Sequence, residues 1–512
     1  MRRTAVLVAA AVLFLPTGGI SAQDGGADPP NGPNVVVIMT DDQRFDDMTT
    51  LPRVTRLIGD AGVTFTRAYA SYPVCCPARA TFFTGQYAQN HHVLCLYPSC
   101  GGGYGRLNQR DYLPVWLEDA GYTTAHIGKF LNGYGKEEGT PLDPNGWTEW
   151  YGLVDHSTYR MWGYKIREKG PGDDEGTTKT YGKVRGGRRE LYQTDVLTNK
   201  AVDFIGRRGP DARPFFLSVA YLAPHHESGH TQSITGQLVR AAPRHRGFYA
   251  DRSVPKPPGY NEDDMSDKPS FVARFNRRIN AKREAAITKR FHERWEALLA
   301  VDEGVERIIR KLSDTGELDN TYVIFTSDQG FMQGEHRIAQ GKMVPYEGST
   351  HVPLLIRGPG LPRGRTTKAL VGDVDLAPTI MDATPAQASH PLDGLSILQW
   401  ANRPNRRNLR PFLHTTAGQA AKGHTNTREG GARGTQPRVP AWRAIRTTQW
   451  LYVEYHGGYR ELYDVNRDPW QTNSVVDNPN LRQKIRTLRR TLGDLRTCRG
   501  RRCDTFASAS IR

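Results

Sequence analysis

The chain has 512 residues, 38% of them apolar, and its 69 lysines and arginines outweigh 53 aspartates and glutamates to give a formal charge of +16. That length excludes a minimal disulfide-stapled module and fits a large α/β domain carrying a smaller one, with apolar residues arriving in runs dense enough to build a core. The positive balance points to a polyanionic partner, but no zinc-finger spacing, basic zipper or RNA-binding sheet motif is present, and no nucleic-acid partner is expected.

Residues 1–22 read as a signal peptide. Arg2 and Arg3 precede the apolar stretch Ala5 to Pro16, and the small residues Ser21 and Ala22 stand before a cleavage point at Gln23. The predicted location is secreted or extracytoplasmic. No later segment reaches the roughly 18 uninterrupted apolar residues of an integral membrane span. Residues 23–33, rich in Gly, Asp and Pro, read as a linker. Val35 to Met39 is an all-apolar run of the kind found in a strand buried on both faces, and it stops at Thr40-Asp41-Asp42. Tyr322 to Ser327 repeats the pattern and runs into Asp328-Gln329-Gly330.

Phe215 to Tyr221 and Val352 to Ile356 are further strands. Pro114 to Asp119 and Arg283 to Leu312 read as helices, the latter from Leu298, Leu299, Val301 and Val305 at helical spacing. The alternation predicts an α/β domain over residues 34–400, with a mixed central sheet sandwiched by helices. Glu168 to Arg189 and Glu227 to Lys282 are polar and read as insertions or long surface loops. Residues 401–505 read as a smaller C-terminal α+β subdomain, with strands at Trp442 to Ile445 and Trp450 to Tyr455 and a helix over Asn480 to Leu495.

Sites in such sheets gather beyond the carboxyl ends of strands, where Asp41, Asp42, Asp328 and Gln329 would fall. Three carboxylates and an amide oxygen are hard ligands that select Ca²⁺ or Mg²⁺ over zinc. Among the six cysteines, Cys95 with Cys100 and Cys498 with Cys503 are natural disulfide candidates in an exported chain. Cys75 and Cys76 are left over, and adjacent cysteines rarely bridge each other because the ring is strained.

The run Cys75-Cys76-Pro77-Ala78-Arg79, continuing to Thr84-Gly85, resembles the signature of the sulfatases, in which the first Cys of Cys-x-Pro-x-Arg is oxidised to formylglycine. The double Cys and trailing Thr-Gly are closest to the N-acetylglucosamine-6-sulfatase and heparan 6-O-endosulfatase branch. The resemblance extends from Asn34 to about Asn478 and implies an alkaline-phosphatase-like fold. It also implies a formylglycine-generating enzyme as a partner in maturation. Cys75, once converted, becomes the nucleophile and joins Asp41, Asp42, Asp328 and Gln329 around the metal. One hydroxyl of the hydrated aldehyde attacks sulfur, and the other lets the sulfated enzyme collapse back to aldehyde.

The same resemblance assigns catalytic roles to Arg79, to Lys129 in Gly128-Lys129-Phe130-Leu131-Asn132, to His225 in Ala223-Pro224-His225-His226, and to Lys342 in Gly341-Lys342-Met343. Asn132, His226 and His351 are assigned to substrate; Asn90, His91, His92 and His336 are weaker pocket candidates. Two positions depart from the family pattern. Gln329 stands where Asn or His is usual, and Leu131 stands where many members carry a His base. The expected activity is hydrolysis of a sulfated carbohydrate or aryl sulfate, with 6-sulfated N-acetylglucosamine of a heparan-type glycan the favoured substrate. The alternatives are a phosphonate or phosphate diester hydrolase on the same scaffold, and a non-catalytic binder of sulfated glycan.

Overall fold

The computed structural model describes residues 32–183, 188–208, 213–227, 239–273, 277–405, 410, 413–417 and 439–505. The predicted signal peptide, and the predicted linker up to residue 31, lie outside them. Ten strands form one mixed sheet: β1 (Asn34–Thr40), β2 (Val63–Tyr69), β3 (Thr123–Gly128), β4 (Glu149–Leu153), β5 (Tyr164–Lys169), β6 (Thr177–Tyr181), β7 (Phe215–Ala220), β8 (Thr321–Ser327), β9 (Leu354–Arg357) and β10 (Arg365–Gly372). Their order is β10-β2-β9-β8-β1-β7-β3-β4-β5-β6. The central five, β8-β1-β7-β3-β4, are parallel.

The helices are α1 (Cys75–Thr84), α2 (Leu113–Asp119), α3 (Gln193–Arg208), α4 (Ala281–Asp314), α5 (Leu376–Ala383) and α6 (Arg482–Leu495), with shorter turns between. Successive residues of β1 enter opposite cores because side chains alternate across a strand. Val35, Val37 and Met39 join the cluster that takes in α1, α2 and α5. Val36 and Ile38 join the cluster with α3 and α4. An all-apolar strand is therefore required at the centre, where both faces are covered and each buried Val or Ile contributes roughly 1.5–3 kcal/mol.

The expected insertion from Glu168 to Arg189 instead contains the end of β5 and all of β6, an antiparallel hairpin at the sheet edge. Residues 177–180 are exposed. An edge strand keeps one row of backbone groups in water and tolerates polar side chains, which hid it from a search for apolar runs. Of the other expected insertion, residues 239–273 and 277–282 are described and hold mostly turns and a short helix, Ser270–Ala273.

A second sheet, β11 (Leu413–Ala417), β12 (Trp442–Arg446), β13 (Trp450–Tyr455) and β14 (Arg460–Asp464), is antiparallel throughout. One face holds Ile485, Leu488, Leu492 and Leu495 of α6, and the cluster continues into Tyr69 and Leu370 of the large sheet and Val374 in the turn after β10. Cys95–Cys100 and Cys498–Cys503 are disulfide-bonded, and Cys75 and Cys76 are free and buried. No helix among the described residues is long and apolar enough to cross a membrane.

Candidate active site

The register of the central strands assembles the site. Thr40 of β1 lies beside Ser327 of β8, so Asp41-Asp42 and Asp328-Gln329 leave neighbouring strand ends together. Met39 pairs with Ala220 of β7, and Ala220 with Gly128 of β3; beyond these lie His225-His226 and Lys129. Lys129 N–H donates to the Ala220 carbonyl at 2.9 Å. Gly128 has φ 117°, and a Cβ there would lie 2.0 Å from that carbonyl oxygen, so only glycine permits this approach. The carboxyl edge of four adjacent strands thus delivers five polar side chains within two residues of a strand end, and the two histidines a few residues further on.

Cys75 arrives from the other side, as the first residue of α1, whose ten residues are all buried. Its Sγ lies 3.4 Å from Asp41 Oδ1, 3.2 Å from Gln329 Nε2 and 3.0 Å from Lys342 Nζ. Arg79, one turn along α1, donates through Nε to Asp328 Oδ2 at 2.9 Å and through Nη1 to the Lys129 carbonyl at 2.6 Å, and reaches Asp41 Oδ2 at 3.4 Å. Lys129 Nζ sits 2.5 Å from Asp41 Oδ2, and Lys342 Nζ 2.7 Å from Asp42 Oδ1. Gln329 Nε2 donates to Asp42 Oδ1 at 2.7 Å. His225 donates from Nδ1 to the His226 carbonyl at 2.7 Å, which turns Nε2 toward Asp42 Oδ2 at 3.5 Å.

Burial alone would raise the Asp41 carboxyl, but Lys129, then His225, Arg79 and Lys342, overcome it and hold it well below the usual range. Asp42 is lowered in the same way, against burial, chiefly by Lys342 and His225. Asp328 goes the other way: burial and the neighbouring Asp41 push it up to about 6. Burial lowers the His225 imidazole, despite Asp42 and Asp41. The Cys75 thiol is pushed far up by burial and by Asp41, so the unmodified side chain stays a protonated, poorly nucleophilic thiol.

Donor chemistry and unsatisfied atoms both fit a divalent cation. Ligand atoms of Asp41, Asp42, Cys75 and His225 lie within 4.8 Å of one another. Asp42 Oδ2, Gln329 Oε1 and His225 Nε2 are buried without a hydrogen-bond partner among the described residues, a costly arrangement that a bound ion would relieve. The three carboxylates Asp41, Asp42 and Asp328 balance Arg79, Lys129 and Lys342. A divalent ion would leave the site positive and receptive to an anionic ester.

Other sequence candidates are dispersed. Asn132 Nδ2 donates to Tyr159 Oη at 2.6 Å, and that ring lies 4.7 Å from Lys129 Nζ, so Asn132 is tied to the site through Tyr159. His226 stacks on His225 at 4.3 Å. His351 makes its contacts elsewhere: it pairs with Glu347 at 3.0 Å and stacks on Phe45 and Tyr69. His336 pairs with Glu262 at 2.6 Å, Asn90 with Asp393 at 2.7 Å and His91 with Thr81 at 3.0 Å.

Two residues beside the carboxylates escaped the sequence reading. Tyr159 is one. Arg294 of α4 is the other; it donates to the Asp42 carbonyl at 2.5 Å and the Pro224 carbonyl at 3.2 Å, clamping both loops. The Lys342 loop is in turn gripped by the small sheet. Trp442 Nε1 donates to the Met343 carbonyl at 2.8 Å, and Tyr346 Oη donates to Glu461 at 3.0 Å.

A family model described as Sulfatase matches residues 33–386. N-acetylglucosamine-6-sulfatase of Homo sapiens is 34% identical over 397 residues, covering 76% of this chain and 68% of that protein. Extracellular sulfatase SULF-1 homolog of Drosophila melanogaster is 32% identical over 380 residues, covering 73% of this chain and 32% of that protein. Among solved structures, one of a protein in complex with its substrate D-glucosamine-2-N,6-O-disulfate superposes with a TM-score of 0.71 at 21% identity, covering 94% of this chain and 100% of that one. This chain belongs to the sulfatase family and is a sulfuric ester hydrolase.

Proposed function

We propose that the protein is an exported sulfatase that cleaves sulfate esters of carbohydrates, with 6-sulfated N-acetylglucosamine of a heparan-type glycan as substrate, and that Cys75 acts after conversion to formylglycine by a generating enzyme. The observation that carries this reading is the placement of Cys75 Sγ among Lys342, Gln329 and Asp41, at the start of α1. A thiol held protonated there is idle, whereas the hydrated aldehyde would supply a hydroxyl nucleophile at the same position. Support for the substrate comes from the glucosamine-6-sulfatase relative, and for export from the extracellular one.

Asp41, Asp42, Asp328 and Gln329, with residue 75, would hold Ca²⁺ or Mg²⁺. Such an ion polarises a sulfate oxygen and lowers the pKa of a bound hydroxyl. Lys342 and Lys129 bring positive charge to the face where an anionic ester approaches. Arg79 fixes Asp328 and the Lys129 backbone. His225 presents Nε2 to the same space and, once protonated, can give a proton to the departing oxygen.

The test is turnover by protein matured in its own host, using nitrophenyl sulfate, nitrophenyl phosphonate and N-acetylglucosamine-6-sulfate. Preference for the sulfate esters supports the reading. Preference for the phosphonate favours the alternative hydrolase, and binding of sulfated glycan without turnover of any ester favours the non-catalytic binder.

A further inference from the structure

Helix α6 is divided sharply by side-chain type. Ile485, Leu488, Leu492 and Leu495 face the small sheet, packing with Ile445, Trp450, Tyr452 and Leu462. Arg482, Arg486, Arg489, Arg490 and Arg496 are exposed. At 100° per residue, all five fall on one face of the helix. From Arg482 to Arg496 that face runs about 21 Å at 1.5 Å per residue. Beyond the helix, the loop closed by Cys498–Cys503 adds exposed Arg499 and Arg501.

Among the described residues, little neutralises this charge. Arg489 makes a loose 3.5 Å pair with Glu454, which serves Arg443 more closely at 2.7 Å. Arg482, Arg486, Arg490, Arg496, Arg499 and Arg501 have no ion-pair partner among the described residues. Like charges one turn apart on a helix destabilise it by a few tenths of a kcal/mol per pair, and among the described residues only the loose Arg489–Glu454 pair offsets that.

The face leads into a cleft of about 570 Å³, lined by Trp442, Arg443, Glu454, Tyr455, His456 and Arg496 among others, with Arg443 and Glu454 paired in its wall. Trp442 is the residue whose indole N–H holds the Met343 carbonyl, next to Lys342. Trp442 therefore links the cleft to the loop that carries a lysine of the candidate reaction centre.

We infer that the arginine face of α6 and the Arg443–Arg496 cleft form a binding surface for the chain of a sulfated polysaccharide, outside the reaction centre. Guanidinium groups grip sulfate oxygens in pairs, and a row of them matches a polymer carrying sulfates along its length. The choice of polymer rests on the proposed function; the surface itself does not.

The experiment uses the full chain on immobilised heparin, with salt elution and a solution Kd for heparin at low ionic strength. The triple variant Arg486→Ser/Arg490→Ser/Arg496→Ser is compared with wild type and with the matching Arg→Lys triple, each checked for unchanged thermal unfolding. The serine triple should elute at lower salt and lose at least tenfold in Kd, while its turnover of nitrophenyl sulfate stays at the wild-type value. The lysine triple should fall between the two, because it keeps the screened Coulomb attraction but loses the paired guanidinium bonds. Unchanged elution of the serine triple would overturn the inference, as would double-stranded DNA binding as tightly as heparin at matched salt. Retention on heparin is read without turnover, so a failed hydrolase reading would appear separately, as ester hydrolysis absent in every variant.

Discussion

Lys342→Ala removes a positive charge that sits 2.7 Å from Asp42 Oδ1 and 3.0 Å from Cys75 Sγ. At an effective dielectric of about 20, unit charges about 3 Å apart attract by roughly 5–6 kcal/mol. Desolvation of both groups takes back much of this, and a hydrogen bond to a charged group nets about 1.5–3 kcal/mol. If that amount is realised on the anionic ester in the transition state, kcat/KM falls about 10- to 150-fold, at about 1.4 kcal/mol per decade. The assay is hydrolysis of nitrophenyl sulfate by wild type and variant carrying equal formylglycine content by mass spectrometry. The same substitution removes one of the cations facing the three carboxylates, so calcium should bind the variant more tightly while turnover drops. A variant within threefold of wild type in kcat/KM, or one that binds calcium more weakly, refutes the reasoning.

Other expectations concern the metal, the loop and the fold. Chelation should lower both activity and the unfolding temperature, with recovery on adding calcium or magnesium. The apparent metal affinity, read as a thermal shift, should weaken as pH falls through about 6, because Asp328, as a proposed ligand, would have to lose its proton; affinity independent of pH between 5 and 7 contradicts this. Trp442→Phe strands the Met343 carbonyl next to a backbone held at φ 72°. It should cost about 1–3 kcal/mol of stability and lower kcat/KM severalfold without touching the sulfur position; chemical denaturation and steady-state kinetics check both.

Burial raises Asp373 to about 7, although Ser71 and Val374 N–H groups donate to its Oδ1. A carboxyl raised in the folded state binds its proton more tightly than in the unfolded chain, so its contribution is full below pH 4 and is lost as pH rises through 7. Asp373→Asn should therefore gain stability relative to wild type between pH 5 and pH 8, by about 1–3 kcal/mol; a difference that does not change with pH counts against the sign.

What the sequence disclosed followed from the physics of a parallel sheet. β1 and β8 are buried on both faces and so read as apolar runs, and their abrupt ends at Asp41 and Asp328 marked the edge where sites collect. The Cys75 motif is local text and needs no folding to be read. Tyr159, Arg294 and Trp442 left no such trace, since each acts on a residue far away in the chain and resembles ordinary core lining or a surface arginine until the chain folds. His351 shows the limit from the other side. It follows Lys342 closely in sequence, but the short helix Glu347–Thr350 intervenes, and His351 pairs back with Glu347 one turn earlier. Gln329 departs from the usual Asn or His, and its Nε2 spans Asp42 and Cys75 while Oε1 stays without a partner among the described residues.

The central claim is that Cys75 works as formylglycine. Mass spectrometry of the peptide containing Cys75, from protein purified from its own host, tests it most directly. The account predicts loss of the sulfur and an aldehyde that reacts with hydrazide at residue 75, with Cys76 intact. An unmodified thiol at residue 75 in protein that hydrolyses sulfate esters would contradict it.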